Sequence, residues 1–378
     1  MKAVYQLWGI APPSPDWNEL IRRTADLQAK LKAEAFICGL DAPVDVYRRI
    51  REIAEPNGTK MYLWLPLFSE MDAITDFDPL IDHHGHPFIA ERKTNGFRFR
   101  CPSSEKNINV MLETYDRLLD RDLFDGAFLD RIRFPSFQYG LNGIFSCFCS
   151  SCVAYYRALG LDPDQLRAAC MHAEADVQAR RDNPLGMSSF DGTRWKFENK
   201  VLESFFNARC HIIEKALKRV CAHLRERGFS VGLDLFSPSL SYFAGQDFLE
   251  LSKLADFTKP MLYLRTDAPA GLPYELRVMD EALGDRNPMM RLLQTDTFKA
   301  LAASESRRMS MIKAASGFSA DIFCGVEYCS VQGITYVSPE TLRSDIRLLR
   351  EADAEGIAGC WNLLYATPEN ISAFVEAF

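Results

Sequence analysis

Short apolar segments rich in β-branched and aromatic residues alternate with longer amphipathic segments along the whole chain. Short apolar runs between turn residues predict strands, and apolar positions repeated with a helical period predict helices. The predicted strands are Ala3–Ile10, Ala35–Leu40, Lys60–Pro66, Gly126–Asp130, Ser230–Phe236, Phe257–Tyr263, Ala320–Tyr328 and Gly356–Leu363. The clearest predicted helices are Trp17–Lys32, Val44–Ala54, Glu105–Leu119, Trp195–Glu226, Leu301–Ala315, Pro339–Ala354 and Pro368–Phe378.

Strands that alternate with helices in this way are typical of a parallel sheet closed into a (β/α)8 TIM barrel. An open doubly wound sheet is the alternative, and it is disfavoured because no glycine-rich turn follows the first strand. The chain has no Gly/Ser linker, repeat or low-complexity tract, so residues 1–378 are expected to form one barrel domain. Three βα-loop insertions, at about 68–104, 131–151 and 162–192, exceed ordinary connections. Loops of that length usually carry function.

Carboxylates follow two of the predicted strands: the fourth ends in Asp130, and the seventh leads to Glu327. Active sites of (β/α)8 barrels lie at the carboxyl ends of the strands, so both side chains are expected at the barrel mouth. Cleavage of a glycosidic bond requires two such groups, one to protonate the leaving oxygen and one to attack the anomeric carbon or activate water. Asp130 and Glu327 are therefore the candidate catalytic residues, although a strand-end carboxylate can also cap a helix or pair with an arginine.

Aromatic and polar residues near the other strand ends are candidates for carbohydrate binding, because aromatic faces stack on sugar rings and polar groups bond the hydroxyls. These candidates are Trp64, Arg133, Asp234, Lys259, Tyr263 and Trp361. Trp8 joins Trp64 and Trp361 in a set of three tryptophans near strand ends, although any single tryptophan is more often part of the core.

Four of the eleven cysteines form a pattern suited to a metal. Cys147, Cys149 and Cys152 follow a C-x-C-x-x-C spacing, and Cys101 lies 46 positions upstream of Cys147. Three thiols at this spacing and a fourth from a distant segment can complete a tetrahedron around Zn²⁺. All four positions would then be filled by sulfur, so the zinc would be structural. The alternative is a chance cluster of buried or reactive thiols.

Charge and hydropathy limit the partners and the compartment. The net charge of −7 disfavours nucleic acid and anionic membranes as main partners. The amino-terminal segment is strand-like without a cleavable hydrophobic region, and no later apolar run is long enough to span a bilayer. We therefore expect a cytoplasmic protein with reduced cysteines, a setting that favours metal binding over disulfides. A homo-oligomer is left open, and the long predicted helix Trp195–Glu226 could contact a partner subunit.

Two sequence patterns resemble carbohydrate-active barrels. The phrase from Asp125 to Asp130, followed by Arg133-Phe134-Pro135, is similar to one found in several glycoside hydrolase families, where the final Asp lies in the active cleft. The cysteine set resembles the zinc cluster of family 42 β-galactosidases, which also have an upstream Cys before a C-x-C-x-x-C. The likeness covers Phe97–Tyr156 closely and the rest of the chain only as barrel architecture.

This resemblance implies a zinc-braced retaining glycosidase with Asp130 as general acid/base and Glu327 as nucleophile. In other families an Asp of the fourth strand is the nucleophile, and Glu327 or Asp234 would then be the acid. β-Galactosidase specificity does not carry over. That family has an Asn-Glu pair where this chain has Leu129-Asp130. It also has long carboxyl-terminal domains, which residues 1–378 are not expected to contain.

Two other functions remain open from the sequence. The barrel could bind a carbohydrate without cleaving it, since Asp130 is flanked by Arg131 and Arg133. It could also be a metal-dependent hydrolase or lyase that uses the cluster His83-His84-Gly85-His86. Against the second, no H-x-H motif ends the first strand as in amidohydrolase-type barrels.

Overall fold

The computed structural model describes residues 1–10, 14–69, 74–88 and 97–378. Within these residues, eight parallel strands close into a barrel in which each strand pairs with its neighbours and the last pairs with the first. The barrel strands are β1 (Lys2–Gln6), β2 (Ala35–Cys38), β3 (Lys60–Pro66), β4 (Gly126–Asp130), β7 (Ser230–Phe236), β8 (Phe257–Met261), β9 (Asp321–Glu327) and β10 (Gly356–Cys360). A separate antiparallel hairpin contains β5 (Met187–Phe190) and β6 (Trp195–Phe197). The predicted (β/α)8 fold is confirmed.

The barrel strands are buried along nearly their whole length. This burial explains why they read as continuous apolar runs in the sequence. Three predicted strands match the observed bounds, and the other five were predicted to run one to four residues too far at the carboxyl end. The reason is that the apolar pattern continues into the loops that form the barrel mouth, where Leu7, Leu262 and Leu363 are also buried.

Helices surround the barrel and fill its longer connections. Among the described residues they are α1 (Trp17–Lys30), α2 (Val44–Ala54), α3 (Glu105–Leu118), α4 (Gly140–Ile144), α5 (Ser150–Ala158), α6 (Pro163–Gln178), α7 (Lys200–Glu226), α8 (Pro238–Ser241), α9 (Phe248–Ser252), α10 (Leu272–Ala282), α11 (Met289–Leu292), α12 (Phe298–Ser316), α13 (Pro339–Glu351) and α14 (Pro368–Glu376). None of the described helices combines the length and apolar character needed to cross a membrane.

Two sequence expectations need correction. The predicted helix Trp195–Glu226 begins only at Lys200, because Asn199 caps it by accepting hydrogen bonds from the amides of Val201 and Leu202. The preceding Trp195–Phe197 is strand β6 of the hairpin. The insertion predicted at 162–192 is largely ordered as α6, whose N-cap Asp162 and first-turn Pro163 are common helix-start residues, and as β5.

Strand register brings the candidate site residues to one end of the barrel. Leu129 of β4 pairs with Leu233 of β7, so the following residues, Asp130 and Asp234, lie on neighbouring strands at the same level. Asp234 in turn pairs with Lys259 of β8. Three charged side chains therefore lie on consecutive strands near their carboxyl ends, where barrel active sites are found.

Candidate functional site

A cavity of about 680 Å³ opens at the carboxyl ends of the barrel strands. Its size is in the range of small-molecule sites. Most of the residues predicted from the sequence lie in its wall, namely Trp64, Asp130, Arg133, Asp234, Lys259, Tyr263 and Trp361. Their catalytic and binding roles stay predictions, but the structure brings all seven into one pocket.

Asp130 ends β4 and presents its carboxylate to this cavity. Its Oδ2 accepts a hydrogen bond from the indole Nε1 of Trp64 at 3.0 Å, and its Oδ1 accepts one from the amide of Arg131. The Arg131 guanidinium lies 3.9 Å from the carboxylate and stacks on the ring of Phe97, 3.7 Å from its centroid. Asp130 is thus a fixed, partly exposed carboxylate at the cavity wall.

Asp234 and Lys259 form a buried pair at the same wall, with 3.0 Å between Asp234 Oδ2 and Lys259 Nζ. Lys259 Nζ also donates to Gln6 Oε1 and to Tyr263 Oη, each at 2.9 Å. Burial raises the pKa of Asp234 to about 7, and the charge of Asp130 adds to that rise, while Lys259 opposes it. Asp234 Oδ1 has no hydrogen-bond partner among the described residues, so this oxygen is free to carry a proton.

Glu327 ends β9 but is not part of the cavity wall. Its carboxylate accepts hydrogen bonds from the amides of Leu264, Arg265 and Thr266 at 3.2, 2.8 and 2.9 Å. A fourth comes from the Thr266 hydroxyl at 2.8 Å. Burial raises its pKa, and these hydrogen bonds oppose that rise. The expected arrangement, with Asp130 and Glu327 facing each other across one cleft, is therefore not seen, because the segment after β8 covers Glu327. Its predicted role as nucleophile stays a prediction.

Other cavity residues were not singled out in the sequence. Gln6 could have been found by the rule that selected Asp130, because it is a polar residue at the end of a buried strand. The apolar mouth comes from loops whose positions follow only from the tertiary structure, and it contains Ile10, Phe97, Val331, Ile334 and Tyr365. Trp8 is absent from this wall. It is fully buried, donates to the carbonyl of Leu40 at 3.2 Å and packs against Trp17 and Tyr47.

The four cysteines of the predicted metal motif lie together, with their Sγ atoms all within 4.8 Å of one another. Cys101 Sγ is 3.3 Å from Cys149 Sγ and 3.5 Å from Cys152 Sγ. A zinc ion bound to four sulfur atoms at about 2.3 Å places them roughly 3.8 Å apart, so the cluster fits such an ion after small shifts. Hydrogen bonds from the other thiols hold the pKa of Cys149 well below its usual range, which favours the thiolate form that binds a metal.

The cluster is connected to its surroundings by backbone donors. The amides of Ile81 and Cys149 donate to Cys147 Sγ at 3.2 and 3.4 Å. Such outer contacts orient metal ligands and stabilise their thiolate form. Of these ligands, Cys101 follows β3 and the other three follow β4. The cluster therefore joins the two loops whose strands supply Trp64 and Asp130.

Comparison with solved structures identifies the class of fold. The chain is similar to the glycoside hydrolase domain of PgaB (BpsB) from Bordetella bronchiseptica, with a TM-score of 0.60 and 14% identity over 100% of this chain and 97% of that one. It is also similar to a β-galactosidase from the psychrophilic Marinomonas ef1, with a TM-score of 0.56 and 11% identity over 100% of this chain and 59% of that one.

These likenesses show a (β/α)8 barrel of the kind found in glycoside hydrolases. This chain spans less than two thirds of the β-galactosidase's length. In sequence, the chain matches no protein-family model and no curated protein. The resemblance to family 42 therefore stays a prediction based on the cysteine motif.

Proposed function

We propose that this protein is a glycoside hydrolase in which Asp130 and Asp234 supply the two carboxyl groups. The observation that carries the proposal is that both side chains line one cavity from neighbouring strands. Glycosidic cleavage needs one carboxyl group that donates a proton and a second that acts as nucleophile or base. Asp234 takes the place that the sequence prediction gave to Glu327.

The two carboxyl groups lie in different environments. Burial raises the pKa of Asp234 to about 7, so near neutral pH its carboxyl can take up and release a proton, and Oδ1 is the oxygen that is not paired with Lys259. Asp130 accepts hydrogen bonds on both oxygens, from Trp64 and from the Arg131 amide, so its carboxylate is held in a fixed orientation at the cavity wall. We therefore assign Asp234 as the proton donor and Asp130 as the nucleophile or base.

The shape of the cavity suggests a short glycoside with an apolar aglycone. Its inner wall offers polar groups for sugar hydroxyls, including Gln6, Arg133 and Asn362. Its mouth is apolar, with Ile10 and Tyr365 largely exposed to solvent. Aryl glycosides match this division between polar and apolar surface, and they are suitable first substrates. Retention of anomeric configuration stays a prediction, which NMR of the first-formed product tests.

We further propose that the cysteine cluster holds a structural zinc ion. With sulfur from Cys101, Cys147, Cys149 and Cys152 in all four positions, no water remains on the metal to be activated. Its contribution is to hold the loops after β3 and β4 in position, and the chemistry is left to the cavity carboxylates.

The proposal is tested by turnover of a panel of nitrophenyl glycosides by the wild type, Asp130→Asn and Asp234→Asn. We expect either substitution to lower kcat by about 10²–10⁴-fold, because each removes a group that transfers a proton or bonds to the sugar. Asp321→Asn, at the opposite end of β9, is the matched control and should keep normal activity. If either cavity variant is folded and turns over at the wild-type rate, the role given to that residue is wrong.

A barrel that binds a carbohydrate without cleaving it is the second candidate. It is favoured by one observation: each carboxylate is already engaged, Asp130 by Trp64 and Asp234 by Lys259. Calorimetric titration with sugars that the wild type fails to cleave distinguishes the two. Tight binding that is unaffected by Asp130→Asn, without turnover of any glycoside, would support a binding protein.

A further inference from the structure

A histidine-rich turn lies outside the barrel cavity, in the connection between β3 and α3. Asp82 fixes its shape: Oδ1 accepts from the amides of His84 and His86 at 3.0 and 2.9 Å, and the Asp82 amide donates to the carbonyl of His86 at 2.9 Å. Gly85 has φ of +88°, a conformation that glycine adopts without strain. The turn is therefore a rigid platform that presents its histidines in a defined direction.

Two of these histidines meet one carboxylate from a different part of the chain. His83 Nε2 and His84 Nε2 each lie 3.0 Å from the same atom, Glu174 Oε2 in α6. The two imidazole rings are 4.0 Å apart. The side chain of His83 is fully buried, that of Glu174 is 19% exposed and that of His84 is 35% exposed. The cluster is thus anchored on one side and open to solvent on the other.

The spacing of these atoms fits a divalent metal. Tetrahedral ligands bound at about 2.0–2.2 Å lie roughly 3.3–3.6 Å apart, so the two distances of 3.0 Å need only small adjustments. Two imidazoles and a carboxylate form a common zinc ligand set that leaves a fourth position open. His84, the most exposed of the three, lies on the solvent side of the cluster.

We propose that His83, His84 and Glu174 bind a second divalent transition-metal ion, with zinc as the natural probe. The sequence left a catalytic metal at the histidine cluster open as an alternative, but none of these three residues lines the barrel cavity, so the proposed site lies apart from the cavity chemistry. Glu174, ninety positions after His84, is the third ligand of the proposed site, in place of His86 of the H-H-x-H pattern.

The effect of this ion would be to join the turn to α6. The turn is already connected to the cysteine cluster, since the amide of Ile81 donates to Cys147 Sγ and the carbonyl of Ile81 accepts from the amide of Phe148. Arg167 of α6 also donates to the carbonyl of His83 at 3.0 Å. The metal would complete a connection between α6 and the loops that follow β3 and β4.

Zinc counted per chain after saturation and gel filtration tests the site. The wild type, His84→Asn and Glu174→Gln are compared, with His172→Asn as control because His172 is an exposed histidine on the same helix, paired with Asp176. We expect the wild type and His172→Asn to hold one more zinc per chain than the two site variants. Zinc should also raise the Tm of the wild type and His172→Asn more than that of His84→Asn and Glu174→Gln.

Cobalt substitution separates this site from the cysteine cluster. Cobalt bound by cysteines shows sulfur-to-metal charge transfer, whereas cobalt bound by imidazole and carboxylate does not. In the absorption spectrum of the cobalt-substituted protein, His84→Asn and Glu174→Gln should lose only the component without sulfur charge transfer. Cys149→Ser should lose only the component with sulfur charge transfer. Equal zinc content in the wild type and His84→Asn would refute the site, as would loss of the sulfur-bound component in His84→Asn.

Discussion

Glu327 either holds the segment after β8 in place through its hydrogen bonds, as a tether, or acts as the nucleophile. The substitutions Glu327→Gln and Glu327→Ala distinguish these two roles. In Glu327→Gln, the amide oxygen can occupy the Oε1 position and keep the bonds from Arg265 N, Thr266 N and Thr266 Oγ1. Only the longest bond, from the amide of Leu264 to Oε2, is lost. Glu327→Ala removes all four.

The expected losses of unfolding free energy follow from the number of hydrogen bonds that each substitution removes. One buried donor left without a partner costs about 1–3 kcal/mol, which is the expected loss of unfolding free energy for Glu327→Gln. Glu327→Ala abandons several donors at once, and relief of the buried charge offsets part of that cost, so a loss of about 3–5 kcal/mol is expected. Loosening the segment after β8 should also raise KM, because Ala268 and Ala270 of that segment line the cavity.

Urea unfolding and steady-state kinetics on both variants distinguish the two roles. A tether predicts that Glu327→Gln keeps kcat within about tenfold of the wild type, while Glu327→Ala is less stable and binds substrate poorly. A nucleophile predicts that both variants lose kcat by several orders of magnitude. If Glu327→Gln were inactive with unchanged stability, the reasoning from the four hydrogen bonds would be refuted and the original sequence prediction restored.

Two further predictions concern metal and pH. Cys149→Ser should lose the sulfur-bound zinc and lower the unfolding free energy by about 4 kcal/mol or more. Cys221→Ser in α7 is the control and should keep the metal. A metal-free wild type that is as stable as the zinc-bound wild type would contradict this prediction. Glu305 is buried in α12, and burial raises its pKa to about 7 from 4.5. The folded state therefore holds the proton more tightly, and its stability falls as pH rises through that interval, by about 3 kcal/mol from this group. Glu305→Gln should remove that part of the decline in urea unfolding at pH 5 and pH 8, and an unchanged slope would exclude Glu305 as its source.

The fold could be predicted because its determinants are local. Each barrel strand is a buried apolar run between polar segments, and Lys60–Pro66 or Ser230–Phe236 can be delimited from that pattern alone. The start of α7 was missed because the aromatic residues of β6 continue the apolar pattern of the helix. Asn199, a strong N-cap residue, was the available signal.

The site was predictable only in part, for a physical reason. The rule that places strand-end side chains at the barrel mouth located Asp130, Lys259 and Asp234 correctly. It says nothing about which side chains the loops cover. Glu327 obeys the same rule, yet the segment from Leu264 to Thr266 turns back over it and donates four hydrogen bonds to its carboxylate. That contact joins residues more than sixty positions apart, so no local sequence pattern predicts it.

The cysteine cluster limits how the loops of this barrel can be exchanged by protein engineering. Loops of (β/α)8 barrels are often exchanged one at a time to obtain new specificities, because each is attached to its own strand. Here the loop after β3 contains Cys101 and the loop after β4 contains Cys147, Cys149 and Cys152. Grafting either one alone would leave an incomplete set of thiols, so the two must be transplanted together. Divergence of substrate range should accordingly proceed by paired replacement of these loops.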